Sequence, residues 1–141
     1  KYLVLCRECI KDAQQYVPEF LENIIEKNLS CVRNILTPNN QVHLKEAVAQ
    51  GPVSIAIEAD TKTFQLYKSG VLTGEACGTN LDHGVLIVGY GSESGTDYWL
   101  VKNSWGPDWG DNGYVKILRD NSTDSNGMCG IAIQPSIPLV N

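Results

Sequence analysis

The chain has 141 residues, the length of one ordinary domain; 43% are hydrophobic, 19% are charged and no long polar tract occurs, which excludes intrinsic disorder. Sixteen acidic residues against eleven basic ones give a net charge of -5, a field that repels phosphate backbones and excludes a nucleic-acid partner. Apolar runs such as Gly84–Val88 fall far short of the roughly 20 residues that span a bilayer, and no signal-peptide pattern opens the chain, so a membrane role is not expected.

Residues 1–35 differ in character from the rest and form a lead segment. Ala13, Val17, Phe20, Leu21, Ile24 and Ile25 recur at helical spacing, with Glu19, Glu22, Glu26 and Lys27 on other faces, which predicts an amphipathic packing helix opened or kinked at Pro18. Cys6-x-x-Cys9, the amphipathic stretch and Cys31 together resemble part of a saposin-like lipid-binding module. Three cysteines without a fourth ligand do not close a tetrahedral zinc site. The cysteines number five, so at least one has no partner within the chain. Asn-x-Ser/Thr sequons at Asn28 and Asn121 point toward the secretory route.

Residues 36–141 form the main domain. Leu36–Asn40 reads as a loop through its Thr-Pro-Asn-Asn run, and Val42–Gln50 as a short helix with Leu44, Ala47 and Val48 on one side. Strands are expected at Val53–Ala59, His83–Gly89, Tyr98–Asn103 and Tyr114–Leu118, where β-branched and aromatic residues lie between Gly, Pro, Asn and Asp. The expected fold class is α+β: an antiparallel sheet closed into a small barrel or sandwich, preceded by the helical lead.

His83 opens an apolar strand in Leu81-Asp82-His83-Gly84-Val85. Alone, a histidine at a strand end is more often structural than catalytic. Further along stands Lys102-Asn103-Ser104-Trp105-Gly106, followed by Trp109-Gly110. A histidine acting as base or acid needs its second ring nitrogen held, and an Asn side-chain oxygen can accept that bond. A neutral orienter suits a thiolate–imidazolium pair, and an indole over the bond excludes water, a use for Trp105. The plain reading of both indoles is core packing. No pair of carboxylates stands out as a rival catalyst.

From Val42 to Val140 the chain resembles the C-terminal, mainly β domain of papain-family cysteine proteases. The resemblance is carried by Gly51-Pro52-Val53-Ser54, Phe64-Gln65-Leu66-Tyr67-Lys68-Ser69-Gly70, Cys77-Gly78, Asp82-His83-Gly84-Val85, Val88-Gly89-Tyr90-Gly91, Lys102-Asn103-Ser104-Trp105-Gly106, Asn112-Gly113-Tyr114 and Cys129-Gly130-Ile131, in family order. It implies that His83 is the general base and acid, that Asn103 orients it, that Trp105 shields their bond and that Trp109 borders the leaving-group side of the cleft. It also implies that Ala56, Gly84 and Gln134 line the pocket for the residue before the scissile one, that Asp82 offers its backbone carbonyl to substrate, and that Cys77 and Cys129 form a disulfide. Gln134 brings a dipole where an acidic residue would pair with a basic side chain, so Leu, Val or Phe is expected there over Arg.

The family places its nucleophile at the start of a helix, in a Gln-x-x-x-x-x-Cys-Trp type motif. Nothing of the kind occurs in this sequence: Arg7-Glu8-Cys9-Ile10-Lys11 lacks the Gln and the Trp, and it stands too near His83 in sequence. The leading reading is therefore the His/Asn half of a cysteine endopeptidase, inactive by itself. Its expected partners are polypeptide substrates, protease inhibitors and a complementary N-terminal papain-like domain, without metal or organic cofactor. The alternative is a non-catalytic pseudo-peptidase or binding module. By resemblance the setting is lysosomal, vacuolar or extracellular.

Overall fold

The structure, a computed structural model, describes the backbone of residues 31–140 and the side chains of residues 36–137. The helix expected around Ala13–Ile25, the lipid-associated reading and Cys6 and Cys9 lie outside the described residues. The end of the lead is not helical: Cys31–Ile35 is a strand, β1.

Residues 35–137 form one compact unit. The unit contains helices α1 (Gln41–Val48) and α2 (Lys62–Gln65) and strands β2 (Val53–Ile57), β3 (Val71–Leu72), β4 (His83–Glu93), β5 (Thr96–Lys102) and β6 (Tyr114–Leu118). It ends in the first residues of β7 (Ser136–Val140). Across this unit the strands run β7-β2-β4-β5-β6-β3.

The sheet is mixed and open, which corrects the expectation of an antiparallel barrel. β3 pairs with β6 in parallel, whereas β2 pairs with β4 and β7, β4 with β5, and β5 with β6 antiparallel. Closure needs strands of matched length, tilt and stagger. β3 has only two residues, so it adds an edge rather than a wall.

Alternation along the strands builds the core. Val53, Ile55 and Ile57 on β2, Ile87 on β4, Trp99 and Val101 on β5, and Val115 and Ile117 on β6 are buried, and Leu44 of α1 packs among them. Each such side chain contributes about 2 kcal/mol through the apolar area it removes from water. Asn40 caps α1, its Oδ1 accepting from His43 N at 3.0 Å. Thr61 caps the single turn of α2, accepting from Phe64 N at 3.2 Å, while its hydroxyl donates to Ala76 O at 2.7 Å. That cap sets Phe64 into the core beneath the indoles described next.

Candidate active site

His83 begins β4 opposite Ile57 of β2, and Leu86 stands opposite Lys102 of β5. One further step of that register sets Asn103 opposite Val85, on the face His83 shares and one diagonal position away. The side chains meet: His83 Nε2 lies 2.8 Å from Asn103 Oδ1. Ser104 N donates to the same Oδ1 at 2.7 Å, so the oxygen end of the amide is fixed by a group that can only donate. An oxygen accepts, hence Nε2 carries the proton and Nδ1 of the neutral ring carries the lone pair. Among the described residues Nδ1 makes no hydrogen bond. Asn103 is buried at 7% exposure, its own N–H bonded to Gly113 O at 2.9 Å.

Trp105 stacks on the His83 ring, with centroids 5.1 Å apart and planes 26° from parallel. It stands edge-on to Trp109 at 5.1 Å and to Phe64 at 5.6 Å. Trp109 is held in turn by its Nε1 donating to Gln65 O at 2.9 Å. The turn that follows requires glycine: at Gly110, with φ +60°, a Cβ would stand 2.6 Å from Tyr114 O. Trp105 therefore rests on a packed aromatic base with its outer face open, which suits a water-excluding cover.

The segment leading into His83 is tied down repeatedly. Cys77 and Cys129 form a disulfide, with Cα atoms 5.0 Å apart. Glu58 accepts from Gly78 N at 2.9 Å and from Asn80 N at 2.5 Å. Asp82 N donates to Ile57 O at 3.0 Å, and Asp82 Oδ1 accepts from Ala59 N at 2.8 Å. Sequence reasoning missed Glu58, because one carboxylate whose partners are main-chain amides leaves no spacing signal. Phe64 and Gln65 stood in a recognised run but carried no assigned role.

Ala56 and Gly84 are direct cross-strand partners on the face opposite that of His83 and Ile57. Ser136 stands opposite Ser54, so Gln134, two residues earlier, falls toward Ala56. Gln134 and Gly84 are exposed, and a Cβ built on Gly84 meets nothing within 4 Å. An open depression of about 280 Å³ lies behind Asn103, between Lys102, Pro107 and Tyr114. It touches neither Ala56 nor Gly84.

The sequence profile described as "Papain family cysteine protease" matches residues 11–139, most of the chain. The chain belongs to the papain family of cysteine proteases. The family match begins within the segment set apart above as the lead. "Cysteine proteinase RD21A" of Arabidopsis thaliana is 59% identical over 98 residues, covering 70% of this chain and 21% of the relative. "Germination-specific cysteine protease 1" of the same plant is 48% identical over 120 residues, covering 85% of this chain and 31% of the relative. Among solved structures, the bromelain protease of Ananas comosus in complex with the E64 inhibitor aligns at TM-score 0.72 with 44% identity, over 77% of this chain and 50% of that one. The proform of the ragweed pollen allergen Amb a 11 aligns at TM-score 0.72 with 42% identity, over 77% and 30%. The chain thus spans about a fifth to a third of these two curated relatives.

Proposed function

We propose that this chain supplies the base and its orienter for a papain-type cysteine endopeptidase, while the nucleophilic thiol comes from outside these 141 residues. The observation that carries the reading is the His83–Asn103 hydrogen bond at 2.8 Å, made through Nε2 so that Nδ1 is available. In the proposed mechanism Nδ1 takes the thiol proton, the thiolate attacks the peptide carbonyl, and the same nitrogen returns the proton to the departing amine. Asn103 keeps the ring in one tautomer through both transfers, and Trp105 keeps water from their bond.

Ala56, Gly84 and Gln134 form the pocket for the residue before the scissile one, Asp82 O receives the substrate main chain, and Trp109 borders the leaving group. Cross-strand register supports the first group, since Ala56 faces Gly84. Partners are polypeptide substrates and protease inhibitors, in keeping with the E64 complex of the bromelain relative, together with a complementary thiol-bearing domain. The Cys77–Cys129 bridge supports an oxidising compartment, secreted or vacuolar.

Without a thiolate and its oxyanion donors, this chain by itself is inactive. The test reconstitutes the complete enzyme and compares His83→Ala and Asn103→Ala with the parent. His83→Ala is expected to lower kcat/KM by about 10²- to 10⁴-fold, the range set by general acid–base catalysis, and Asn103→Ala by less. Retained activity in His83→Ala rejects the assignment. Peptide binding without turnover by the complete protein supports a binding module instead.

A further inference from the structure

We propose that Asn121 is an acceptor for an N-linked glycan, placed where the sugar leaves the catalytic cleft open. The sequon is Asn121-Ser122-Thr123, in the irregular loop between β6 and the short 3₁₀ turn Met128–Gly130. Asn121 and Thr123 are exposed, and the residue between them is anchored. Ser122 N donates to Asp120 Oδ1 at 2.8 Å, Ser122 O accepts from Gln41 N at 2.9 Å, and Ser122 Oγ accepts from Asp124 N at 3.1 Å. The loop is held by its middle residue, and the two side chains that define the acceptor stand outward.

The two ends of the Asn121 amide have separate uses. Oδ1 accepts from Arg119 Nη1 at 3.2 Å, and Nδ2 makes no hydrogen bond among the described residues. Arg119 is itself buried, paired with Asp97 at 2.8 Å and set over the rings of Tyr90 and Trp99. Glycosylation uses Nδ2 alone. The nitrogen attacks the anomeric carbon of a lipid-diphosphate-linked oligosaccharide, the bond from that carbon to the phosphate oxygen breaks, the lipid diphosphate leaves, and the nitrogen gives up one proton. The carbonyl oxygen is retained, so the Arg119 contact survives modification.

Position decides that the sugar is harmless to the site. His83 opens β4, and Asn103 follows Lys102, which pairs with Tyr114 at the start of β6. Asn121 lies beyond Leu118, at the other end of the β5–β6 pair, where Leu118 faces Tyr98. The paired strands separate these ends by about 13 Å, at roughly 3.3 Å per residue, before the loop adds its own reach. A bulky, solubilising group there shields the sheet end and not the cleft.

This inference rests on the secretory setting of the proposed function, and its test is independent of peptidase activity. The full chain, preceded by a cleavable secretion signal, is translated with endoplasmic-reticulum microsomes. Imported chains are treated with an amide-cleaving glycosidase and mapped by peptide mass spectrometry. The expected result is aspartate in place of asparagine at position 121, lost in Asn121→Gln and in Thr123→Ala but kept in Ser122→Ala. The readout follows import rather than folding, so a poorly folding variant still reports. Unmodified Asn121 in imported chains, including chains glycosylated on Asn28, overturns the proposal and leaves the peptidase reading untouched.

Discussion

His83 Nε2 and Asn103 Oδ1 stand 2.8 Å apart, and the direction of the bond between them is set by a third group, the Ser104 N–H, at 2.7 Å from the same oxygen. An oxygen accepting from a main-chain amide cannot donate to the ring, so one imidazole tautomer is selected before any thiol arrives. Long-range nitrogen–proton correlation on the full chain is expected to show neutral His83 as the Nε2–H form. In Asn103→Ala the two tautomers should mix; an unchanged pattern there means that Asn103 does not orient the ring.

In the proposed pocket beside Ala56 and Gly84, Gln134 would offer a dipole without charge. In the complete enzyme, a peptide library varied at the residue before the scissile one should favour Leu, Val or Phe over Arg. Gln134→Glu should raise the relative rate for Arg by about tenfold, near 1.4 kcal/mol of discrimination. Arg at the top of the unmodified profile would sink the assignment.

The Cys77–Cys129 bridge closes a sequence separation of 52 residues. Loop-closure entropy sets its contribution at about 4 kcal/mol, so replacing both cysteines by alanine should lower the urea midpoint of the full chain by a corresponding amount. The same variant should speed hydrogen exchange at Gly78 and Asn80, whose amides Glu58 otherwise holds. Unchanged exchange at those two amides would show that Glu58 holds the segment without the bridge.

Burial holds the phenol of Tyr67 above its ordinary value of 10.0, against the lowering effect of its bond with Lys116 N. A raised folded value stabilises the protein fully below the unfolded value, and that stability is lost as pH climbs through the folded one, because the unfolded chain gives up its proton first. Urea midpoints should therefore hold below about pH 10 and fall as pH rises beyond it. Tyr67→Phe should flatten the fall while costing about 1 kcal/mol at neutral pH, as its hydroxyl no longer donates to Gly70 O. An equal alkaline slope in both proteins would assign the loss to other groups.

What the sequence made legible was what repeats or recurs in family order. Tyr114–Leu118 is a strand over the residues expected, and Val53, His83 and Tyr98 each fall in an expected strand. β3 and α2 escaped notice because two and four residues are too few to show a period. The open sheet was misjudged as closed, since local pattern fixes a strand's faces but not what pairs with its far edge. At the site, His83 and Asn103 were visible as residue types in motifs, whereas Glu58 acts on main-chain amides that every residue possesses.

The central claim is that the His83–Asn103 pair serves a thiol lying outside this sequence, and labelling tests it most directly. The native gene product is weighed intact, exposed to an epoxide that alkylates papain-type nucleophiles, and mapped. The account predicts a protein heavier than 15.5 kDa that takes up one label, on a cysteine beyond these 141 residues, and loses that labelling in His83→Ala. A label on Cys6, Cys9 or Cys31, or labelling indifferent to His83, would contradict it.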